Sequence, residues 1–416
     1  MKLVIILITL ILFVLFFLAS VPYYSGDVKN HLAWAQSLLN MGPFGFYERQ
    51  FPGFSFPNYP PLAMGLFAAC LKLYELTNQI IWFMNSNFKI FPSNLVHFFQ
   101  WENVQISFLK LPAIISNFGI AFAIYLLINL EKKLKKLALV AAGLFLFNPA
   151  SFYLSVVWGQ IDFLPMMFFL FSLYFIFKKK LYWSIILINL SFLSKQTIII
   201  LFPAVAYLYW KTFGIKRASL AFLSVICLII VSYIPFHGLS LTWPFELLRL
   251  NFEYVAKVTS VNSLNVWGFL FDFKQVPDDL AFLGIAYHIW GQFLFVLFII
   301  PILFKFFQKK ITFENFLSVL TIVGLAYFFF LTRIHERYLA PVIALLTILA
   351  MINKKYVTSL LFFSFLYFTN LYKGLLQPDM LFFNSIINSL TSLKILVIGY
   401  FMFYMHLIFV YLRKNE

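Results

Sequence analysis

This sequence predicts an all-α polytopic membrane protein, and three observations carry that prediction. Of 416 residues, 62% are hydrophobic and only 11% are charged, far more apolar surface than a soluble core of this length can hide. The apolar residues come in runs of spanning or near-spanning length. The basic residues fall in short clusters between those runs: Lys132, Lys133, Lys135 and Lys136; Lys178 to Lys180; Lys211, Lys216 and Arg217; Lys305, Lys309 and Lys310; Lys354 and Lys355; Arg413 and Lys414. This is the positive-inside pattern, so the formal charge of +16 sets topology and does not point to nucleic acid. Cys70 and Cys227 both lie inside apolar runs, which argues against a disulfide framework or a cysteine metal site.

Twelve runs are expected to be membrane helices, at about 3–21, 107–130, 137–157, 163–177, 181–193, 196–210, 218–236, 283–304, 315–332, 338–352, 356–370 and 394–412. The first has no small-residue cleavage motif and reads as a retained helix. If the N-terminus and every basic cluster are cytoplasmic, these runs alternate correctly, and region 61–105 contributes either no crossing or two. Twelve and fourteen spans therefore both remain open. The chain reads as one integral domain, 1–416, with a first outer loop at 22–60, a second at 237–282 and C-terminal helices over 353–416. Most acidic residues fall on the outer face, as expected of a wet and chemically active surface.

The outer segments carry the chemistry. Asp27 opens a short predicted helix, Lys29 to Leu39, in which His31, Trp34 and Ala35 share a face. A carboxylate just beyond a spanning run suits a general base for a sugar hydroxyl, and equally a helix N-cap. Tyr59-Pro60-Pro61-Leu62 fixes a rigid start for the next run. Asn148-Pro149 reads as a helix break leading to the turn Trp158-Gly159-Gln160-Ile161-Asp162. There an indole face and polar acceptors suit a sugar ring, or else an interfacial tryptophan and a cap. Lys195 interrupts an apolar stretch on the outer side, against the charge trend, which implies an acidic partner or an anionic ligand, with snorkelling as the alternative.

Arg333-Ile334-His335-Glu336-Arg337-Tyr338 is the densest charge cluster outside the inner loops. Its guanidiniums suit a phosphate or diphosphate, and equally a salt-bridge lock between helices. The 237–282 loop offers carbohydrate-binding groups, among them Glu253, Lys257 and Trp267. No Walker-type, zinc-protease or Cys/His cluster motif occurs.

Taken in order, these segments resemble the GT-C membrane glycosyltransferases, and most of all the dolichyl-phosphate-glucose-dependent glucosyltransferases of the asparagine-linked pathway. The likeness rests on Asp27, Tyr59 to Leu62, Asn148-Pro149, Lys195-Gln196, Phe252 to Val258 with Asn265 and Trp267, and His335 to Arg337. The family's histidine-rich turn is Trp158 to Asp162 here, and its basic residue after His-Glu is Arg337 followed by Tyr338.

The resemblance implies a GT-C-like bundle of about 12–14 transmembrane helices. Its activity would be inverting, metal-independent transfer of a hexose, glucose or mannose, from a polyprenyl-phosphate donor to a lipid-linked or other glycan acceptor. It implies Asp27 as general base, with His335 and Arg337 near the donor phosphate. Arg333 and Lys195 are further phosphate candidates; Trp158, Gln160, Asp162, Tyr59, Glu253, Lys257 and Trp267 are sugar or acceptor candidates. No cofactor or metal is expected. The site would face the outside of a prokaryotic plasma membrane, or the lumen of the endoplasmic reticulum. A transporter or flippase of lipid-linked saccharides, or a protein O-glycosyltransferase of the same superfamily, is the alternative. Polar residues at one face and no internal repeat favour the enzyme.

Overall fold

The structure, a computed structural model, describes residues 20–254, 256–308 and 310–413, with the side chains of 251–254 left aside. The predicted first span lies outside these residues except for its last two. Helix α1 (Gly26–Met41) follows Ser25 as its N-cap, so Asp27 sits in the first turn and is not the cap. Helix α2 (Pro61–Asn87) starts on the proline pair, Pro61 occupying a first-turn position whose N–H would be unpaired anyway. Region 61–105 is thus one long helix followed by the short α3 (Ser93–Phe99) and α4 (Glu102–Leu109). None of the three is long and apolar enough to cross a membrane.

The chain then runs through α5 (Leu111–Lys132), α6 (Lys135–Leu146) and α7 (Pro149–Phe152), which continues into a π-helical turn, Tyr153–Trp158. The predicted break at Asn148-Pro149 is real: the Asn148 side chain caps α7 at the Ala150 N–H, and the two halves meet at 53°. Next come α8 (Phe163–Phe177), α9 (Leu181–Ser194), a 3₁₀ segment Gln196–Leu201, α10 (Phe202–Phe213), α11 (Ile215–His237) and α12 (Trp243–Tyr254). Past strand β1 (Ser260–Val261) lie α13 (Val266–Leu270), strands β2 (Ala281–Phe282) and β3 (Ile285–Ala286), α14 (Tyr287–Gln308) and α15 (Phe313–Phe330). Strand β4 (Ile334–His335), a 3₁₀ turn Glu336–Leu339, and helices α16 (Ala340–Ile352), α17 (Val357–Leu375), α18 (Leu381–Ile387) and α19 (Leu390–Arg413) complete the described chain.

The molecule is all-α and, among the described residues, has five helices long and apolar enough to cross a membrane: α5, α11, α14, α15 and α19. Counting the bent α6–α7 pair as one span gives six, fewer than the twelve to fourteen expected. The reason is length. Helices α8, α9, α10 and α16 have 15, 14, 12 and 13 residues. At ~1.5 Å per residue they reach roughly 18 to 23 Å, short of a hydrocarbon core ~30 Å thick. Helices α15 and α16 are buried almost throughout and form the centre of the main core with α5 and α8. By contrast, α11 and α14 turn most of their apolar surface outward.

Two features position the loops at one end. Strand β1 pairs in parallel with β4, Ser260 opposite Ile334 and Val261 opposite His335. The Asn370 side chain on α17 accepts from Leu264 N at 2.9 Å and donates to Glu336 O at 2.7 Å. Residues 260–264 and the 333–338 segment are thereby fastened to each other and to the end of α17.

Candidate active site

Four segments meet at Asp27. Its Oδ2 accepts from Gln160 Nε2 at 2.6 Å and lies 3.4 Å from Arg337 Nη2. Gln160 also donates to Ser25 Oγ at 3.0 Å, so the turn after the π-helical segment grips the start of α1. Gly159 allows this approach. Its φ is +81°, and a Cβ there would stand 2.8 Å from Lys110 Cγ and 3.0 Å from Val28 Cγ2. Lys110 is completely buried, and its Nζ donates to the carbonyls of Tyr23 at 2.7 Å, Val156 at 3.2 Å and Val157 at 2.9 Å. One ammonium thus ties together the two stretches that carry Asp27 and Gln160.

Asp162 is buried just before α8; its Oδ1 accepts from Lys195 Nζ at 2.8 Å, and its Oδ2 lies 3.6 Å from Arg337 Nε. The Lys195 ammonium also stands over the Tyr59 ring, 5.0 Å from its centroid. Arg337 completes the cluster: it donates to Glu336 Oε1 at 3.1 Å and approaches His335 Nδ1 at 3.4 Å, so its guanidinium lies among three carboxylates. Tyr367 on α17 donates to the Arg337 carbonyl at 3.0 Å and holds that backbone in place.

The charges set the protonation. Burial pushes the Asp27 carboxyl up, but Arg337, His31, the Gln160 hydrogen bond and Lys195 together bring it down to about 2. Burial raises Glu336, with Arg337 opposing. Burial and the Arg337 charge keep the His335 imidazole neutral. Burial disfavours the Arg337 cation, yet Asp27, Glu336 and Asp162 outweigh it and hold its pKa above the ordinary value. The cluster is therefore an internally paired set of ions.

Of the predicted site residues, the structure brings Asp27, Tyr59, Gln160, Asp162, Lys195, His335 and Arg337 together. Trp158 is buried beside them, close to Glu336 and to Gly374 of α17. Arg333 lies elsewhere: its Nε and Nη2 reach the buried Asp278 carboxylate at 2.7 and 3.1 Å, and Thr332 Oγ1 donates to the same group at 2.9 Å. Trp267 donates from Nε1 to Phe330 O at 2.7 Å and packs against Phe271 and Tyr287, a tie between α13 and α15. Lys257 is exposed, and the Glu253 side chain lies outside the described residues. His31, Glu336 and Lys110 were not singled out as site residues. The spacing held a signal for His31, which follows Asp27 by one helical turn. Among the described residues no three His, Cys, Asp or Glu side chains gather as metal ligands would. No protein-family model matches this chain, and a search of curated proteins finds none similar to it.

Proposed function

We propose that this chain is a membrane glycosyltransferase that moves a hexose from a polyprenyl-phosphate donor to a glycan or lipid-linked acceptor, with Asp27 as general base on a GT-C-like scaffold. One observation carries the reading: polar residues from five separate stretches, at 27, 59, 160–162, 195 and 335–337, gather in one charged cluster at the ends of apolar helices. That investment of buried charge is costly in an apolar protein unless it is used. The motif order that resembles the GT-C enzymes supports the same assignment.

The chemistry balances without further reactants. The acceptor oxygen attacks the anomeric carbon as its proton passes to Asp27, and the bond from that carbon to the phosphate oxygen breaks. The phosphate leaves with the bonding electrons. Arg337 links the two halves of the reaction, since the guanidinium beside Asp27 can turn to the departing anion as Asp27 takes up its proton. The polyprenyl tail lies in the membrane along apolar helix surface.

The test is transfer of radiolabelled hexose from a panel of polyprenyl-phosphate sugars by purified protein in lipid. Asp27→Asn is expected to lower turnover by about 10²–10⁴-fold with donor binding little changed. Turnover equal to that of the wild type would sink the base assignment, and no transfer from any donor would sink the reading.

A further inference from the structure

A groove of about 660 Å³ opens between α10 and α11. Tyr207 and Trp210 of α10, Ile215 and Phe222 of α11 and Phe307 at the end of α14 line it, and Lys211 is the one charged residue among the described residues of its walls. The aromatic wall is fixed in place. Tyr207 donates to Phe307 O at 3.0 Å, and its ring packs 5.3 Å from that of Phe306 and 4.7 Å from that of Phe307. Trp210 meets Tyr207 edge-on at 5.9 Å. The Lys211 ammonium stands over both rings, 5.3 Å from the Tyr207 centroid and 5.2 Å from that of Trp210. A smaller apolar pocket of about 30 Å³ shares Ala206, Ala218 and Phe222 with the groove and carries it inward toward Ile188 of α9.

Charge and setting identify what fits. Lys216 and Arg217 are exposed in the first turn of α11, between Ile215 and Ala218 of the wall. The sequence has no Asp or Glu between Asp162 and Glu246. Among the described residues no carboxylate pairs with Lys211, Lys216 or Arg217. Helix α11 is long and apolar enough to cross a membrane and turns most of its apolar surface outward, toward lipid chains in that setting. Topology alone requires charge at this end but no groove beside it. A soluble anion would leave the apolar wall unused, and a neutral lipid would leave three cations unmet. An amphiphile with a negative headgroup meets both.

We propose that this groove binds an anionic glycerophospholipid, with an acyl chain along Ala206, Ala218 and Phe222 and its phosphate at Lys211, and with Lys216 and Arg217 adding attraction. Lys195 of the Asp27 cluster precedes the 3₁₀ segment that leads into α10, whereas Lys211 stands in the last turn of α10. The lipid site is therefore at the other end of that helix from the cluster, and the inference does not depend on the glycosyltransferase reading.

The test uses the full chain in phosphatidylcholine nanodiscs that contain a low fraction of phosphatidylglycerol brominated in its acyl chains. Brominated phosphatidylcholine is the neutral counterpart. Bromine quenches tryptophan on contact, and the difference between each protein and its Trp210→Phe counterpart isolates the groove. The expected result is that the anionic lipid quenches Trp210 at a several-fold lower fraction than the neutral one. Lys211→Gln should cut that preference about fivefold, and Lys211→Arg should keep it. Lys179→Gln, the same charge change in a different basic cluster, should leave it intact. Ala206→Phe fills the groove while keeping all three cations, and should abolish it.

The proposal is overturned if the wild type shows no preference, if Lys179→Gln lowers it as much as Lys211→Gln, or if Ala206→Phe leaves it unchanged. Displacement by inorganic phosphate would also overturn it, since a soluble anion would then be the ligand. So would displacement by polyprenyl phosphate more readily than by unbrominated phosphatidylglycerol, which would give the groove to a polyprenyl lipid. Shielding of Trp210 that tracks formation of a dimer would assign the groove to a second copy of the chain instead.

Discussion

In the proposed reaction Asp27 is the base, and the Arg337 guanidinium 3.4 Å away holds it in its ionised form. With its pKa brought from the ordinary 3.8 to about 2, it is ionised at every physiological pH, but a carboxylate so stabilised is a weak proton acceptor until Arg337 turns to another anion. The linkage has a definite sign: because the folded value is lowered, its contribution to stability is present above pH 3.8 and is lost as pH falls through about 2. For activity, kcat/KM in the free enzyme should show no acid limb from Asp27 down to about pH 4. Arg337→Gln removes the largest effect lowering that pKa, so the limb should move up by about 1–3 pH units; an unmoved profile would show that the two groups do not communicate. The residues of this pair were legible in the sequence as polar groups in an apolar setting. Their pairing was not, because Asp27 and Arg337 lie hundreds of residues apart and spacing cannot say which acid neutralises which base. Arg333 shows the cost: it reads as a phosphate ligand in the sequence, and in the fold Asp278 binds it.

Helix ends, more than helices, build this site. The π-helical turn Tyr153–Trp158 and the left-handed Gly159 aim Gln160 at Asp27, and Lys110 holds the carbonyls that the irregular turn leaves open. On the opposite side, Gly374 lets the last turn of α17 rest on Trp158 and Glu336, since a Cβ would fall 2.6 Å from Trp158 Cη2 and 2.8 Å from Glu336 Cγ. Gly374→Ala should therefore destabilise the protein by about 1–3 kcal/mol through overpacking. It should also shift Trp158 fluorescence; thermal unfolding unchanged from the wild type would mean that α17 moves aside at no cost. Element positions were largely legible, because apolar runs have sharp edges: the expected 218–236 is Ile215–His237, and 394–412 is Leu390–Arg413. The number of spans was not. Composition marks a segment as buried but does not distinguish a membrane crossing from a short helix packed inside protein, and α8 and α16, short and largely buried, fall on that line.

The whole molecule has two chemically distinct ends. Lys132, Lys178, Lys211, Lys305 and Arg413 lie in or just past the last turns of α5, α8, α10, α14 and α19. Cross-contacts place several of these ends on one face: Lys305 donates to Leu412 O at 2.9 Å, Tyr207 to Phe307 O at 3.0 Å, and the Phe177 and Phe313 rings sit 5.0 Å apart. The Asp27 cluster is assembled from the opposite ends, the start of α8, the end of α9 and the turn between α15 and α16. The reading proposed above takes the basic end as cytoplasmic, by the positive-inside rule, and the cluster as facing outward. In that proposal orientation matters, because an outward site would meet lipid-linked sugars, whereas an inward one would meet nucleotide sugars. With Cys70 and Cys227 replaced by alanine, single cysteines at the exposed positions Asp279 and Lys179 report the two ends. A membrane-impermeant maleimide applied to intact cells should label Asp279→Cys, and should reach Lys179→Cys only after lysis. The opposite pattern would place Asp27 in the cytoplasm and remove the physical basis for a polyprenyl-phosphate donor presented at the outer face.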